Sequence, residues 1–522
     1  MLKQTNRTAQ LKQLAETTIW DIVVIGGGAT GLGIAVDAAT RGLKVLLVEK
    51  FDFAKGTSSK STKLVHGGVR YLAQGDVKLV LGALRERGLI FKNAPHVSSA
   101  QSFVIPLYTT FDKLKYLAGL KLYDWMAGRL RIGRSELLSK KEVLEKLPTV
   151  RGEGLKGGIL YYDGQFDDAR LAINLAQTAI QHGATVLNYM EASGFNKQDN
   201  GQINGVELLD TQTQQRFQVQ SKVVINATGI FVDDILKIDS PAHQNLVRPS
   251  QGSHIVIDAD FLGGADALMI PQTSDGRVLF GVPWHGKVLL GTTDLPIDQH
   301  EIEPRPMEKE IDFILATAKD YLHPAPTRKD IRSIYAGLRP LAAPKDGSES
   351  TKEISRDHKL IRSASGLITI TGGKWTTYRK MAEDTVDLAI KSAELPSAPC
   401  KTQHLPIHGA TKEVYPAPWH LYGKDYEGIQ ALLQEREEWR EPLIAPHPHL
   451  KAEVVWACRH EMIEQVEDFL ARRIRLLLLD AQAAVNAAPT VAQIMASELG
   501  KDEQWVDEQI HAFHKLAHRY ML

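Results

Sequence analysis

Asp21 to Lys50 reads DIVVIGGGATGLGIAVDAATRGLKVLLVEK, a strand, a glycine turn, a helix and a second strand closed by an acid. The apolar run 22–25 leads into Gly26, Gly28 and Gly31 at G-x-G-x-x-G spacing, with Gly27, Ala29 and Thr30 filling the turn. The first glycine permits the turn and the second lets a pyrophosphate reach the backbone. The third lets helix and strand pack closely, with the helix N-terminus facing the phosphates. Gly42 ends the helix, residues 45–48 form the next strand, and Glu49 follows with Lys50 beside it. A carboxylate about twenty residues past the turn accepts ribose hydroxyls and disfavours a 2′-phosphate. A glycine turn alone is as readily a plain loop; both strands, the helix and the acid together make it a dinucleotide unit. By itself that unit accepts NAD or FAD and names no substrate.

The chain has 522 residues, more than one hydrophobic core serves, so two or three subdomains are expected. Lys plus Arg and Asp plus Glu number 62 each, so nothing global favours nucleic acid, and no nucleic-acid partner is expected. Cys400 and Cys458 lie far apart, which argues against a disulfide framework, a metal site or a thiol redox centre and points to a reducing compartment. The polar leader lacks the apolar core of a secretory signal and reads as a short helix. No run approaches the about eighteen apolar residues of a membrane span. The chain is expected to be soluble or to lie on a membrane surface.

After the first unit comes the polar loop Thr57, Ser58, Ser59, Lys60, Ser61, Thr62, Lys63, leading to Leu64-Val-His-Gly-Gly-Val-Arg-Tyr71. Such dense hydroxyls suit phosphate or ribitol. Asp167 and Asp168 can cap a helix over 169–182, with a strand at 185–187. The strand 223–225 runs into Asn226-Ala-Thr-Gly229, small residues that let backbone approach a ligand. From 248 to 294 the period becomes that of an antiparallel meander, with strands at 254–257, 267–270, 277–283 and 287–292. The strand 367–371 ends in Gly372 and Gly373 and leads to a helix over 376–390. Past 400 the reading is helical: Thr490 and Gln493 form a capping box, and Val506, Ile510, Phe513, Ala517 and Tyr520 mark one apolar face.

These motifs, TSSKSTKLVHGGVRYL, VVINATG, GSHIV, GTTD, GLRPL and TGGKWTTYRK, occur in the order found in one family, and the chain closely resembles the FAD-dependent glycerol-3-phosphate dehydrogenases. The resemblance implies an α/β fold: a Rossmann-like FAD-binding domain of the D-amino-acid-oxidase kind, a mixed or antiparallel β-sheet cap, and a C-terminal helical domain. The expected boundaries are 1–18 for an N-terminal extension, 19–95, 155–245 and 350–395 for the discontinuous FAD domain, 96–154 and 246–349 for the cap, and 396–522 for the helical domain.

The implied reaction is oxidation of sn-glycerol 3-phosphate at C2 to dihydroxyacetone phosphate, with hydride passing to FAD and electrons on to membrane quinone. A phosphorylated ligand needs fixed cations, and by resemblance Arg70, Tyr71, Arg356 and Lys374 form the phosphate clamp. His254 and Arg339 lie nearer the oxidised carbon, His254 as proton acceptor because its ordinary pKa is near neutrality, and Arg339 as stabiliser of the alkoxide. From the residues alone, His254 reads first as a histidine hydrogen-bonded at a strand end. The FAD contacts implied are Gly26, Gly27, Gly28, Ala29, Thr30, Gly31, Glu49, Lys50, Thr57, Ser58, Ser59, Lys63, Leu64, His66, Gly67, Gly68, Ala227, Thr228, Gly229, Gly372, Gly373 and Thr376. Gln251 stands where the family often has a basic residue, so one positive charge near the substrate is expected to be missing. Trp375 replaces a commoner aliphatic residue and is expected to alter packing.

Delivery to quinone implies attachment to an anionic membrane surface, peripheral on the inner face of the cell membrane and cytoplasmic. The segment 111–134 mixes Leu120, Leu122, Trp125 and Met126 with Lys113, Lys115, Lys121, Arg129, Arg131 and Arg134, the pattern of an interfacial helix or of a cap helix packed on the protein. A homodimer is left open. The competing readings are a glycerol-3-phosphate oxidase using oxygen on the same fold and a non-catalytic flavin-binding protein.

Overall fold

The computed structural model describes residues 5–68, 76–109, 111–342 and 358–522. Its first sheet runs in the order His358–Arg362, Ile368–Gly372, Arg216–Asn226, Ile19–Ile25, Val45–Val48, Thr185–Leu187. The inner strands are parallel, with Val24 opposite Ile225 on one side and Leu47 on the other. Their continuous apolar runs follow from being covered on both faces. Helices Ala29–Thr40, Asp168–Gln181 and Tyr378–Ser392 bury their apolar sides in one shared core on one face. Leu14 of the leading helix Arg7–Glu16 shares a second core with Val23, Leu46 and Val224 on the other.

The second sheet is the cap. Val247–Asp258 lies between Lys287–Gly291 and Ser333–Ala342, and the meander continues through Leu279–Trp284 and Ala267–Ile270 to Ser98–Leu107 and Gly157–Phe166. Leu64–Val65 and Gly157–Phe166 fall inside the intervals expected for the FAD domain, yet they pair in the cap sheet. Their alternation is compatible with either sheet, and only long-range pairing assigns them.

The helical region 396–522 is not set apart from the rest. Its core includes Phe469, Leu477 and Ala488, and Val256, Trp284, Leu289 and Tyr335 of the cap lie in that same core. Buried charges tie it to the FAD domain: Arg473 and Arg472 reach the Asp52 carboxylate at 2.7 and 2.5 Å, and Arg475 reaches Asp168 at 2.8 Å. The expected capping box at Thr490 is also corrected. One helix, Ala481–Leu499, runs through Pro489 and is capped by Asp480, whose side chain accepts the Ala483 N–H. Proline removes one bond from the ladder; the buried run Ala484, Ala487, Ala488, Val491, Ala492 and Met495 holds the helix through it.

Candidate active site

The two sheets enclose a cavity of about 730 Å³ that extends from Glu49 to His254 and Lys374. At one end Glu49 Oε2 accepts the Gly27 N–H at 2.6 Å and Oε1 the Phe51 N–H at 2.9 Å. Burial lifts the Glu49 carboxyl above its ordinary range, opposed by those two N–H groups. Lys50 pairs with Glu191 at 2.8 Å on the same wall.

Along the middle, helix Ala29–Thr40 starts at Gly28 with its first turn facing the cavity. Gly26 has φ +112°, and a Cβ there would lie 2.7 Å from Ala227 O; one at Gly31 would lie 1.9 Å from Gly26 O. Only glycine allows this approach of turn, helix and the strand end at Ala227. Ser58 Oγ accepts the Ala29 N–H at 3.0 Å, and Thr57 Oγ1 donates to Leu338 O at 2.6 Å, tying loop to cap. Thr228 and Gly229 line the same wall.

Leu64, His66, Gly68, Gly372, Gly373, Lys374 and Thr376 also line the cavity. Thr376 Oγ1 donates to His66 O at 3.4 Å, and Trp375 Nε1 donates to Ser58 O at 2.8 Å while its ring meets Phe166 edge to face. Trp375 therefore joins the last strand's loop to the hydroxyl-rich loop.

The cap contributes His254 and Arg339. His254 Nε2 lies 2.9 Å from Thr62 Oγ1, and the ring stacks on Tyr335. Burial, with Lys63 and Arg339 adding positive charge, holds His254 well below the ordinary histidine range. Its proton affinity is therefore lower than that of an exposed histidine. Arg339 donates to Asp294 at 3.2 Å, Thr292 Oγ1 at 3.3 Å and Thr293 O at 3.2 Å.

Several expected contacts lie elsewhere. Lys63 is fully buried behind the loop, its amine 2.7 Å from Asp168 and from Ser59 O. Burial lowers its pKa, which Asp168 opposes and Arg475 reinforces. Ser59 is buried beside it, and Gly27, Gly31 and Gly67 are close-packed: a Cβ would lie 2.7 Å from Glu49 Cβ, 1.9 Å from Gly26 O and 2.3 Å from Tyr123 Oη respectively. The Gly67 N–H donates to Tyr123 Oη and to Asp163. Gln251 does not face the cavity either: its amide donates to Glu310 at 2.7 Å on the opposite side of the strand, so its neutrality removes no charge from the wall. Arg70, Tyr71 and Arg356 lie outside the described residues. Thr62, Tyr335 and Asp294 were not anticipated. Thr62 carried a signal as part of the hydroxyl-rich loop, whereas Tyr335 meets His254 only through strand register.

A carboxylate cradle, a helix N-terminus and glycine-ended strands around one cavity fit a dinucleotide. Fold and site define an FAD-dependent oxidoreductase. The chain matches the family described as FAD dependent oxidoreductase over residues 21–379 and the C-terminal domain of alpha-glycerophosphate oxidase over residues 367–506. A mitochondrial glycerol-3-phosphate dehydrogenase of Arabidopsis thaliana is 41% identical, covering 94% of this chain and 85% of that one. The mitochondrial enzyme of that name from Homo sapiens is 39% identical, covering 99% and 75%. The crystal structure of the glycerol-3-phosphate dehydrogenase from Bacillus halodurans complexed with FAD is 31% identical, with TM-score 0.81 over 100% of this chain and 98% of that one. The chain belongs to the FAD-dependent glycerol-3-phosphate dehydrogenases.

Proposed function

We propose that this enzyme oxidises sn-glycerol 3-phosphate at C2 to dihydroxyacetone phosphate and passes the electrons to a membrane quinone. The observation that carries the reading is that His254, Arg339 and Lys374 line the same cavity as the Glu49 cradle, with Arg339 near enough to add its charge at His254. When bound, FAD supplies the acceptor for the hydride lost from C2. His254, at the cavity wall, takes the proton of the C2 hydroxyl. Arg339 presents its guanidinium to the developing negative charge while Asp294 and Thr292 hold its plane. Lys374 attracts the phosphate, with Arg70, Tyr71 and Arg356 completing the clamp.

Membrane attachment is supported by exposed apolar side chains on two neighbouring helices, Val77–Asn93 and Phe111–Ala127. Val77, Leu81 and Leu122 are exposed, and Trp125 is 78% exposed. No helix among the described residues is long and apolar enough to cross a membrane. The side chains of Lys113, Lys115 and Arg129 lie outside the described residues, and the Lys121 amine is engaged with Ser135 O.

Anaerobic mixing of the FAD-loaded enzyme with glycerol 3-phosphate tests the reading: the flavin absorbance bleaches, whereas glycerol leaves it unchanged. Absence of bleaching rejects the substrate. Stopped-flow reoxidation by a quinone analogue faster than by oxygen separates dehydrogenase from oxidase.

A further inference from the structure

His254 is constrained on three sides by three separate segments. Its Nε2 lies 2.9 Å from Thr62 Oγ1 on the loop after the dinucleotide unit. Its ring stacks on Tyr335 with centroids 4.7 Å apart and planes 10° apart. Its Cδ2 edge lies against Gly291, where a Cβ would come within 2.3 Å. Strand register produces the last two contacts, because His254 stands opposite both Tyr335 and Gly291. Tyr335 in turn donates its hydroxyl to Ser61 O at 3.0 Å, so the ring beneath His254 is anchored to the residue that precedes Thr62.

A neutral imidazole has one donor and one acceptor nitrogen, and its partner decides which is which. Nδ1 is buried without a hydrogen-bond partner among the described residues, which leaves the Thr62 hydroxyl as the group there that sets the tautomer. Stacking and the glycine edge fix the plane of the ring, while rotation within that plane is opposed by the bond to Thr62. Both Thr62 and His254 line the cavity. The charged and titratable groups facing the ring are Lys63, paired with Asp168 and lying 5.6 Å from the Tyr335 centroid, Arg339, paired with Asp294, and the Tyr335 phenol.

We propose that Thr62 orients the His254 imidazole and hands it the proton: Thr62 Oγ1, which lines the cavity, gives its hydroxyl proton to Nε2 and takes that of the substrate alcohol in its place. The inference rests on the reading of His254 as the proton acceptor, and it assigns Thr62 no contact with FAD.

The test compares Thr62→Val, Thr62→Ser, His254→Asn and the Thr62→Val/His254→Asn double variant, all FAD-loaded. It follows anaerobic flavin reduction by glycerol 3-phosphate as a function of pH. Thr62→Val is expected to slow reduction roughly 10–100-fold, with the half-saturating substrate concentration within about threefold of the parent. It should also displace the acid limb of the rate profile, while Thr62→Ser restores most of the rate. In the His254→Asn background the Thr62→Val change should have no further effect, because Thr62 acts through the ring. Thr62→Val with the parent rate and pH profile, beside a slow His254→Asn, overturns the inference alone. A fast His254→Asn overturns the reading of His254 and the role of Thr62 with it.

Discussion

The Gln251 amide and the Glu310 carboxylate meet at 2.7 Å on the side of strand Val247–Asp258 that faces away from His254. Glu310 is buried and also accepts from Thr293 Oγ1 at 2.5 Å and the Met307 N–H at 2.9 Å. Replacing Gln251 with Leu removes one of these donors from a buried acceptor, which costs about 1–3 kcal/mol and is measured by chemical denaturation. Gln251→Arg places its charge against Glu310, so the affinity for glycerol 3-phosphate in a substrate titration should stay within about threefold.

Gly252 bears on Arg339. A Cβ at this position would lie 2.5 Å from Arg339 Nη2 and 2.7 Å from Thr292 Oγ1, so Gly252→Ala displaces the guanidinium from its anchors. The expected result is flavin reduction slowed at least about tenfold with the FAD spectrum preserved, since a misplaced electrostatic stabiliser costs on the order of 1–4 kcal/mol. Stopped-flow absorbance measures both.

The charges between the C-terminal region and the FAD domain make a stability prediction. Burial opposes ionisation of Asp52, but Arg473 and Arg472 outweigh it and hold its carboxyl below the usual range. Asp52→Ala leaves two buried guanidiniums short of a counter-charge, an expected loss of about 3–5 kcal/mol. The lowered Tm should come with faster loss of FAD, because Phe53 and Ala54 beside Asp52 belong to the core under the glycine turn.

Two buried histidines give a pH dependence. Burial pushes His96 down to about 4, opposed by the hydrogen bond with Asn174, and holds His254 well below its ordinary value. In the unfolded chain both take up protons near pH 6.5. The unfolded state therefore binds more protons below that pH, and stability falls as pH drops from about 6.5 towards 4. Thermal unfolding across this window should show the decline, and His96→Gln should flatten it.

Trp125 tests the membrane surface. Trp125→Glu combined with Leu122→Glu puts two charges on the exposed apolar patch, and each opposes burial in the lipid interface. Co-sedimentation with anionic vesicles should be lost, while anaerobic flavin reduction by substrate is unchanged.

The expected strands and helices of the FAD domain are present with small shifts, such as Asp168–Gln181 for 169–182. Their periodicities and caps are local properties, so a single segment suffices to read them. Gln251 is expected near the substrate, yet its amide pairs with Glu310, while the neighbouring Gly252 and His254 line the cavity. Lys63, which the resemblance implies at the cofactor, has its amine on Asp168, 105 residues away.

By itself the sequence determined the dinucleotide unit and the family, because a glycine turn with its flanking strands is a local steric requirement and the motifs keep their order along the chain. The tertiary structure alone decided how His254 is held, through register with Tyr335 and Gly291 and the reach of Thr62. It also decided that the helical tail is bound into the body by Arg472, Arg473 and Arg475. Such contacts depend on which distant groups are brought together out of water, and a charge in the sequence does not state whether its counter-charge will be buried beside it.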